Sequence, residues 1–348
     1  MLKQYGKPST ALILQKTSFF EENELHIKKQ RQISEIYIKQ PKRKTCKNCN
    51  KPLSDVNDFE KDGIGYKICD TCTHLNGAYE DTDKYCSLIY GNDEKVYAAN
   101  YKVDDVEAFN YRVSSIYHPK AEFLYTSLLS HNVNPNHLSY LDFGSGTGYF
   151  VSALKKIGIK NVTGTEVSES QVRLGNKMIG EELLFKHELI DTLNVISETK
   201  TDVISMIGVL EHLQESRSVL KCISENTNIK YLMISVPLFS LSVYLEILSP
   251  NIFHRHLHGG HTHLYTEQSI NYLCNEFKME KVSEWWFGAD MVDLYRSIYV
   301  KLEGIEASDK LKKNFGEMMK DIIDPIQLEL DKKNRSSEVH LLFKKRTS

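Results

Sequence analysis

Four cysteines stand in two close pairs, Cys46-x2-Cys49 and Cys69-x2-Cys72, with 19 residues between the pairs. Each C-x2-C turn aims two thiolates at one point, and two such turns at this spacing can close a tetrahedron around zinc. Because the chain fills all four positions, that metal is expected to be structural. A second chemistry sits in "LDFGSGTGYF", residues 141–150. An apolar run ends in Gly144-Ser145-Gly146-Thr147-Gly148, and a helix is expected to begin near Tyr149. The glycines let a ligand lie against the turn, and the helix start offers free N–H groups. The dinucleotide fingerprint G-x-G-x-x-G would place its last glycine at 149, which is Tyr. "NVTGTEVSES" then supplies Glu166, 22 positions after Gly144, where a carboxylate offers acceptors and no donor to a ribose diol. A third cluster is "HRHLHGGHTHLYTEQS", which holds His254, His256, His258, His261 and His263, five of the 13 histidines. One or two of these can act as a base or grip an acceptor. Several can bind a divalent metal that orients a diol. Or the loop is simply a polar surface. All three readings stay open.

The elements around these groups follow from hydrophobic periodicity. Residues 1–40 read as a basic helical arm with an imperfect stripe of Leu25, Ile27, Ile33, Ile36 and Ile38, stopped by Pro41. Residues 41–90 hold the cysteine pairs, with Cys86 as a packing thiol. From Leu138 short apolar runs alternate with amphipathic helices, the pattern of a parallel βαβ sheet. Strands are expected at "LSYLDFG", "NVTGTEV", "LLFKHEL", "TDVISMI", "KYLMISVP", "VSEWWFG" and "EVHLLFKK", with a charged helical insertion at about 289–335. The fold class is therefore α/β: a Rossmann-like, seven-stranded, mostly parallel sheet with helices on both faces, preceded by a zinc ribbon.

The spacing G-x-G-x-G resembles motif I of the class I S-adenosylmethionine-dependent methyltransferases. "TDVISMIGVLEHLQES" is similar to their D-V-I-x-x-x-x-V-L-E-H segment, and the resemblance spans roughly residues 90–348. It implies S-adenosyl-L-methionine as cofactor, bound along Asp142, Gly144, Ser145, Gly146, Thr147 and Gly148. It adds Glu166 and Val167 after the second strand, and Ile207 and His212 after the fourth, with Glu211 and His212 opening the next helix. Arg112 and Tyr101, ahead of the sheet, are candidates to cover the cofactor or grip its carboxylate. The histidine loop resembles the H-x-x-Y-[ST] region of zinc-ribbon-bearing sugar methyltransferases, which implies His261 as base, His263 as second choice and Tyr265 as a supporting hydroxyl. The implied acceptor is a small molecule, a sugar or sugar-linked intermediate of surface polysaccharide or natural-product biosynthesis, methylated on oxygen rather than nitrogen or carbon.

Composition narrows the rest. Of 348 residues, 41% are hydrophobic and 26% charged, and the net charge of -2 makes no global case for nucleic acid or a membrane surface. No apolar run approaches the ~18 residues of a bilayer span, and the first 20 residues lack a secretory pattern, so a cytoplasmic enzyme is expected. The first 50 residues carry eleven Lys/Arg against four Glu, read as a solvated helix face. A rival reading makes the ribbon and basic arm a dock for RNA or protein. The sequence after the fourth strand, "GVLEHL", differs from the Asn/Asp-Pro-Pro-aromatic tetrad of nucleic-acid amino methylation. A non-catalytic cofactor- or partner-binding module is the third reading, and a homodimer through the 289–335 insertion stays open.

Overall fold

The structure, a computed structural model, describes residues 1–9, 13, 22–90, 105–257 and 260–346. Its first strand, β1 (Leu2–Tyr5), is followed by a helix at Asn23–Tyr37. The cysteine region holds β2 (Phe59–Lys61), β3 (Ile64–Ile68) and β4 (Leu75–Gly77). Then come β5 (Tyr140–Phe143), β6 (Val162–Glu166), β7 (Leu184–Lys186), β8 (Val203–Ile207), β9 (Tyr231–Pro237), the two-residue β10 (His263–Leu264), β11 (Met279–Phe287) and β12 (Glu338–Lys345).

All seven expected strands form, but they make an eight-stranded sheet in the order β1-β11-β12-β9-β8-β5-β6-β7. The addition is β1, which pairs parallel with β11 through Leu2↔Ser283 to Tyr5↔Trp286. The expectation of a helical arm over 1–40 is therefore corrected at its start. "LKQY" has too few residues to show a period, and its ladder partners lie far along the chain. The later helix, Asn23–Tyr37, is not a free arm either: Ile27, Ile33 and Tyr37 are buried, Leu25 is exposed, and Gln30 donates to the Leu257 carbonyl at 3.0 Å.

Strands β9, β8, β5, β6 and β7 run parallel, while β12 is antiparallel to both β9 and β11. Alternate residues of these strands serve two cores. Tyr140, Val162, Val203 and Met233 pack on one face, under the helices His118–Ser130 and Tyr149–Lys156. Leu141, Ile204, Leu232 and Ile234 pack on the other with Leu220 and Ile270, the period-2 division of a sheet covered on both sides. Chain order reverses between β5 and β8, so the carboxyl ends of β5, β6 and β8 open at the switch point where α/β sheets bind ligands. Three helices, Asp290–Gly304, Asp309–Lys320 and Ile323–Lys332, fill the expected insertion and bury Met291, Phe315, Met319 and Ile323 together.

The cysteine segment is joined to the sheet domain by shared structure. Its sheet runs β10-β4-β3-β2, so its outer strand comes from the histidine loop, with His263↔Asn76 and Leu264↔Leu75 in register. Cys86 is buried beside Tyr37, Tyr66, Val243 and Leu264, the packing role expected of it.

Candidate functional site

The glycine loop leaves β5 with Gly144, Gly146 and Gly148 all at positive φ, 71°, 54° and 74°. A β-carbon on Gly144 would lie 2.6 Å from the Val209 side chain, so only glycine fits that turn without a shift. Glu166, 9% exposed at the end of β6, folds back into the loop. Its Oε2 accepts from the Gly146 N–H at 2.9 Å, and its Oε1 from the N–H groups of Val167 and Ser168 at 2.8 and 3.1 Å. The carboxylate is thus hydrogen-bonded directly to the loop, at the end of β6 beside the turn a nucleoside would lie against. The hydroxyls of Ser145 and Thr147 are buried there without a partner, polar atoms that a ligand would satisfy. These features fit S-adenosylmethionine: a narrow backbone cradle, a diol acceptor and unused hydroxyls.

Asp142 lies beneath this loop, buried, and accepts from Ser205 Oγ at 2.7 Å. Burial pushes its carboxyl up to about 7, with Ser205 opposing and Glu166 adding to the rise. Ile207 ends β8 as a partly buried wall of the first core. Arg112 lies over the Tyr149 ring, 4.9 Å from its centre, at the first residue of the helix after the glycine loop. Tyr101, like His258, lies outside the described residues.

After β8 the chain turns at Gly208, φ 68°, and Glu211 and His212 sit in this turn rather than opening a helix, which starts only at Ser216. His212 faces the histidine loop: its Nδ1 is 2.9 Å from the Gly260 carbonyl, and its ring centre is 4.9 Å from that of His261. Burial raises the Glu211 carboxyl to about 8 and lowers His212 to about 4. Beside the trio lies a cavity of about 130 Å³ lined by Gly208, Glu211, Arg255, His256, His261 and Glu338, among others.

The structure separates the three expected acceptor residues. His261 reaches this cavity; His263 and Tyr265 do not. His263 is part of β10 and is fully buried, its Nδ1 2.8 Å from His74 Nε2 on the ribbon. Tyr265 is 1% exposed, its ring among those of His74 and His263. His263 and Tyr265, two residues apart, share the face that packs on His74, whereas His261 precedes β10. His254 and His256 anchor the loop: His254 packs on Ser297, and the backbone N–H groups of His256 and Leu257 donate to Glu246 at 2.7 and 2.9 Å.

Sequence reasoning missed the charges that converge behind the cavity. Lys120 is buried, 3.9 Å from Glu338. Burial works against ionisation of Glu338, but Lys120, Lys7 and Arg255 more than offset it and hold the carboxyl below its usual range. Lys7, just beyond β1, is pushed down to about 8 by burial and by Lys120. These residues come from four distant segments, and no local spacing links them.

The ribbon's four thiols are buried, with Cys46 Sγ 3.7 Å from Cys72 Sγ and Cys49 Sγ 3.5 Å from Cys69 Sγ. Four sulfurs at ~2.3 Å around zinc stand at nearly this separation. Each knuckle closes through a backbone bond, Asn50 N–H to Cys46 and Thr73 N–H to Cys69, with Asn50 and Thr73 at φ 57° and 58°. The Asn76 and Asn48 amides donate to Cys46 and Cys72 at 3.5 and 3.6 Å, the outer contacts a thiolate site needs. The set fits a structural zinc.

A family model described as a methyltransferase domain matches residues 117–284, a little under half of the chain. No curated protein matches it. Among solved structures, the methyltransferase domain of bacterial CtHen1-C is 15% identical and covers 66% of this chain and 98% of its own, at a TM-score of 0.43. Magnesium protoporphyrin IX methyltransferase from Synechocystis, with bound SAH, is 12% identical and covers 73% of this chain and 90% of its own, at 0.42. Likenesses this distant carry no argument about the acceptor. The glycine cradle, the carboxylate tied to it and the matched family model together mark residues 117–284 as a methyltransferase domain with the features that suit S-adenosylmethionine.

Proposed function

We propose that the chain methylates a hydroxyl of a small carbohydrate acceptor, a sugar or sugar-linked intermediate, held in the cavity between Glu211, His261 and Glu338. S-adenosylmethionine supplies an already activated methyl on its sulfonium sulfur. What the protein must add is alignment, exclusion of water and activation of the acceptor oxygen. Glu166, with Val167 N–H on its Oε1, grips the ribose hydroxyls, and the loop from Asp142 to Gly148 holds the nucleoside. Ile207 and Arg112 border the cofactor. His261 is the group that activates the hydroxyl. His263 and Tyr265 act from behind, as the packed seat of the loop.

The observation that carries this reading is the position of His261 at a cavity rimmed by residues that follow β8 and β9, on the side of the sheet where the cofactor cradle opens. Polar and charged walls (Arg255, His256, Glu338) suit a polyol better than an apolar acceptor. The test is methyl transfer from radiolabelled S-adenosylmethionine to a panel of nucleotide-linked sugars, with RNA and protein offered in parallel. Label in a sugar, recovered as a methyl ether, supports the reading. Label only in RNA or protein replaces it with a macromolecular substrate docked through the ribbon, and absence of cofactor binding by calorimetry leaves a partner-binding module. In this account the cytosol is the working compartment, with homodimerisation a matter for sizing experiments.

A further inference from the structure

We propose that the acceptor carries a carboxylate, gripped by Arg255 in the cavity wall with Lys7 and Lys120 behind it. This rests on the carbohydrate reading above and narrows it to an acidic sugar of the hexuronate kind. Three cations, Lys7, Lys120 and Arg255, converge on a single carboxylate, Glu338. Arg255 and Glu338 both line the cavity of about 130 Å³ that His261 also reaches. Positive charge in surplus, gathered where an acceptor enters, calls for an anion from outside.

The protein itself does not satisfy these cations. Lys120 is 7% exposed, and the carboxylate oxygen it approaches, Glu338 Oε1, stands at 3.9 Å, beyond hydrogen-bond reach. Its Nζ and that of Lys7 lie over aromatic rings, 5.1 Å from the centre of Tyr117 and 5.3 Å from that of Phe287. Neither ammonium, nor the Arg255 guanidinium, makes a hydrogen bond to another described residue. The two other carboxyls near Lys120 are no substitute. Burial holds Asp142 up at about 7 and Glu211 at about 8, so neither is a full counter-charge at neutral pH. Asp293, the other carboxylate near Arg255, is shared with Arg296 and accepts from Ser242 Oγ at 2.8 Å.

Shape and charge select the anion. A guanidinium fork matches a planar carboxylate in two parallel N–H···O bonds. Glu338 stays in the same wall, and its charge repels a phosphate dianion more strongly than a monoanion. Its Oε1 accepts from Ser235 Oγ at 3.0 Å, which leaves Oε2 to accept from a ring hydroxyl. A hexuronate brings both groups, a carboxylate for Arg255 and hydroxyls for Glu338. Lys7 and Lys120 act through their field, which salt screens little at a buried site.

The test compares D-glucuronate and D-galacturonate with D-glucose and D-galactose. Binding is read by ligand-observed nuclear magnetic resonance on the zinc-loaded full chain saturated with S-adenosylhomocysteine. At least one hexuronate should bind about tenfold or more tightly than its hexose. Arg255→Gln should remove that preference, and Arg255→Lys should restore part of it. Lys7→Met deletes a charge whose burial is costly, so it should fold, and it should weaken hexuronate binding by less than Arg255→Gln. Lys313→Gln, an exposed lysine of the insertion, should bind as the wild type does. Near-ultraviolet circular dichroism and a thermal scan report whether each variant is folded. Equal binding of hexuronates and hexoses, binding of none of the four, or a preference that survives both Arg255→Gln and Lys7→Met overturns the carboxylate site. Label transferred to a neutral sugar in the panel above would then leave methyl transfer standing. Loss of S-adenosylhomocysteine affinity in Arg255→Gln, with no hexuronate preference in the wild type, assigns these cations to the donor's own carboxylate and likewise overturns the site. Hexuronate binding by a protein that methylates no sugar keeps the site and sinks the reading it rests on.

Discussion

Replacing Glu166 by Ala removes the group on which the cofactor cradle turns. In the free protein this carboxylate accepts three backbone N–H groups, from Gly146, Val167 and Ser168. On binding, a ribose diol brings two further O–H donors to the same two oxygens. Hydrogen bonds to a charged group contribute ~1.5–3 kcal/mol each. Loss of the equivalent of one such bond lowers affinity roughly 10- to 150-fold. The Gly146 N–H also loses its anchor in the variant, so ordering the loop is left to the binding step and moves the result toward the upper figure. Glu166→Gln keeps one acceptor oxygen and should fall between. The assay is calorimetric titration with S-adenosylhomocysteine, with a thermal scan to show that the variants fold. An affinity for Glu166→Ala within twofold of wild type would refute the reasoning, because the cradle would then not engage the ribose through this residue.

His261→Ala should lower turnover about 10²-fold or more, the worth of an acceptor-activating group, and leave cofactor affinity unchanged by calorimetry; wild-type turnover would take His261 out of the reaction. Elemental analysis should find about one zinc per chain, lost in Cys69→Ser along with several kcal/mol of stability and at least about 5 °C of Tm; a metal-free protein of unchanged Tm would remove the ribbon's metal. Asp142 is protonated more readily folded than unfolded, its pKa raised to about 7 from 3.8. Its contribution to stability is full below about pH 4 and fades as pH rises through about 7. Asp142→Asn should therefore flatten the fall in Tm of the cofactor-free protein between pH 4 and 8, and an unchanged slope would assign that fall to other groups.

The parts of this molecule that were legible in the sequence are those whose chemistry is fixed by neighbours along the chain. The glycine turn, Glu166 at the end of the next strand and the two C-x2-C knuckles each depend on a handful of consecutive residues: the turn follows β5, Glu166 ends β6, and the four thiols gather at one point. The histidine loop was legible only as a cluster. Which histidine faces the cavity depends on β10, whose pairing with β4 turns His263 toward His74 and leaves His261 at the entrance. Glu211 and His212 looked like a helix start because two residues do not reveal whether a turn intervenes. Lys7, Lys120, Arg255 and Glu338 carried no signal at all, since their meeting is a product of sheet order.

That sheet order also sets a timetable for synthesis. The four residues of β1 leave the ribosome long before their ladder partners, Ser283 to Trp286, which are made roughly 280 residues later. At ~5–20 residues per second this tetrapeptide waits tens of seconds for its seat. In that interval the parallel core from β5 to β9 can assemble without it, so the amino-terminal segment, and Lys7 with it, is a late arrival at a cavity whose other walls are built first.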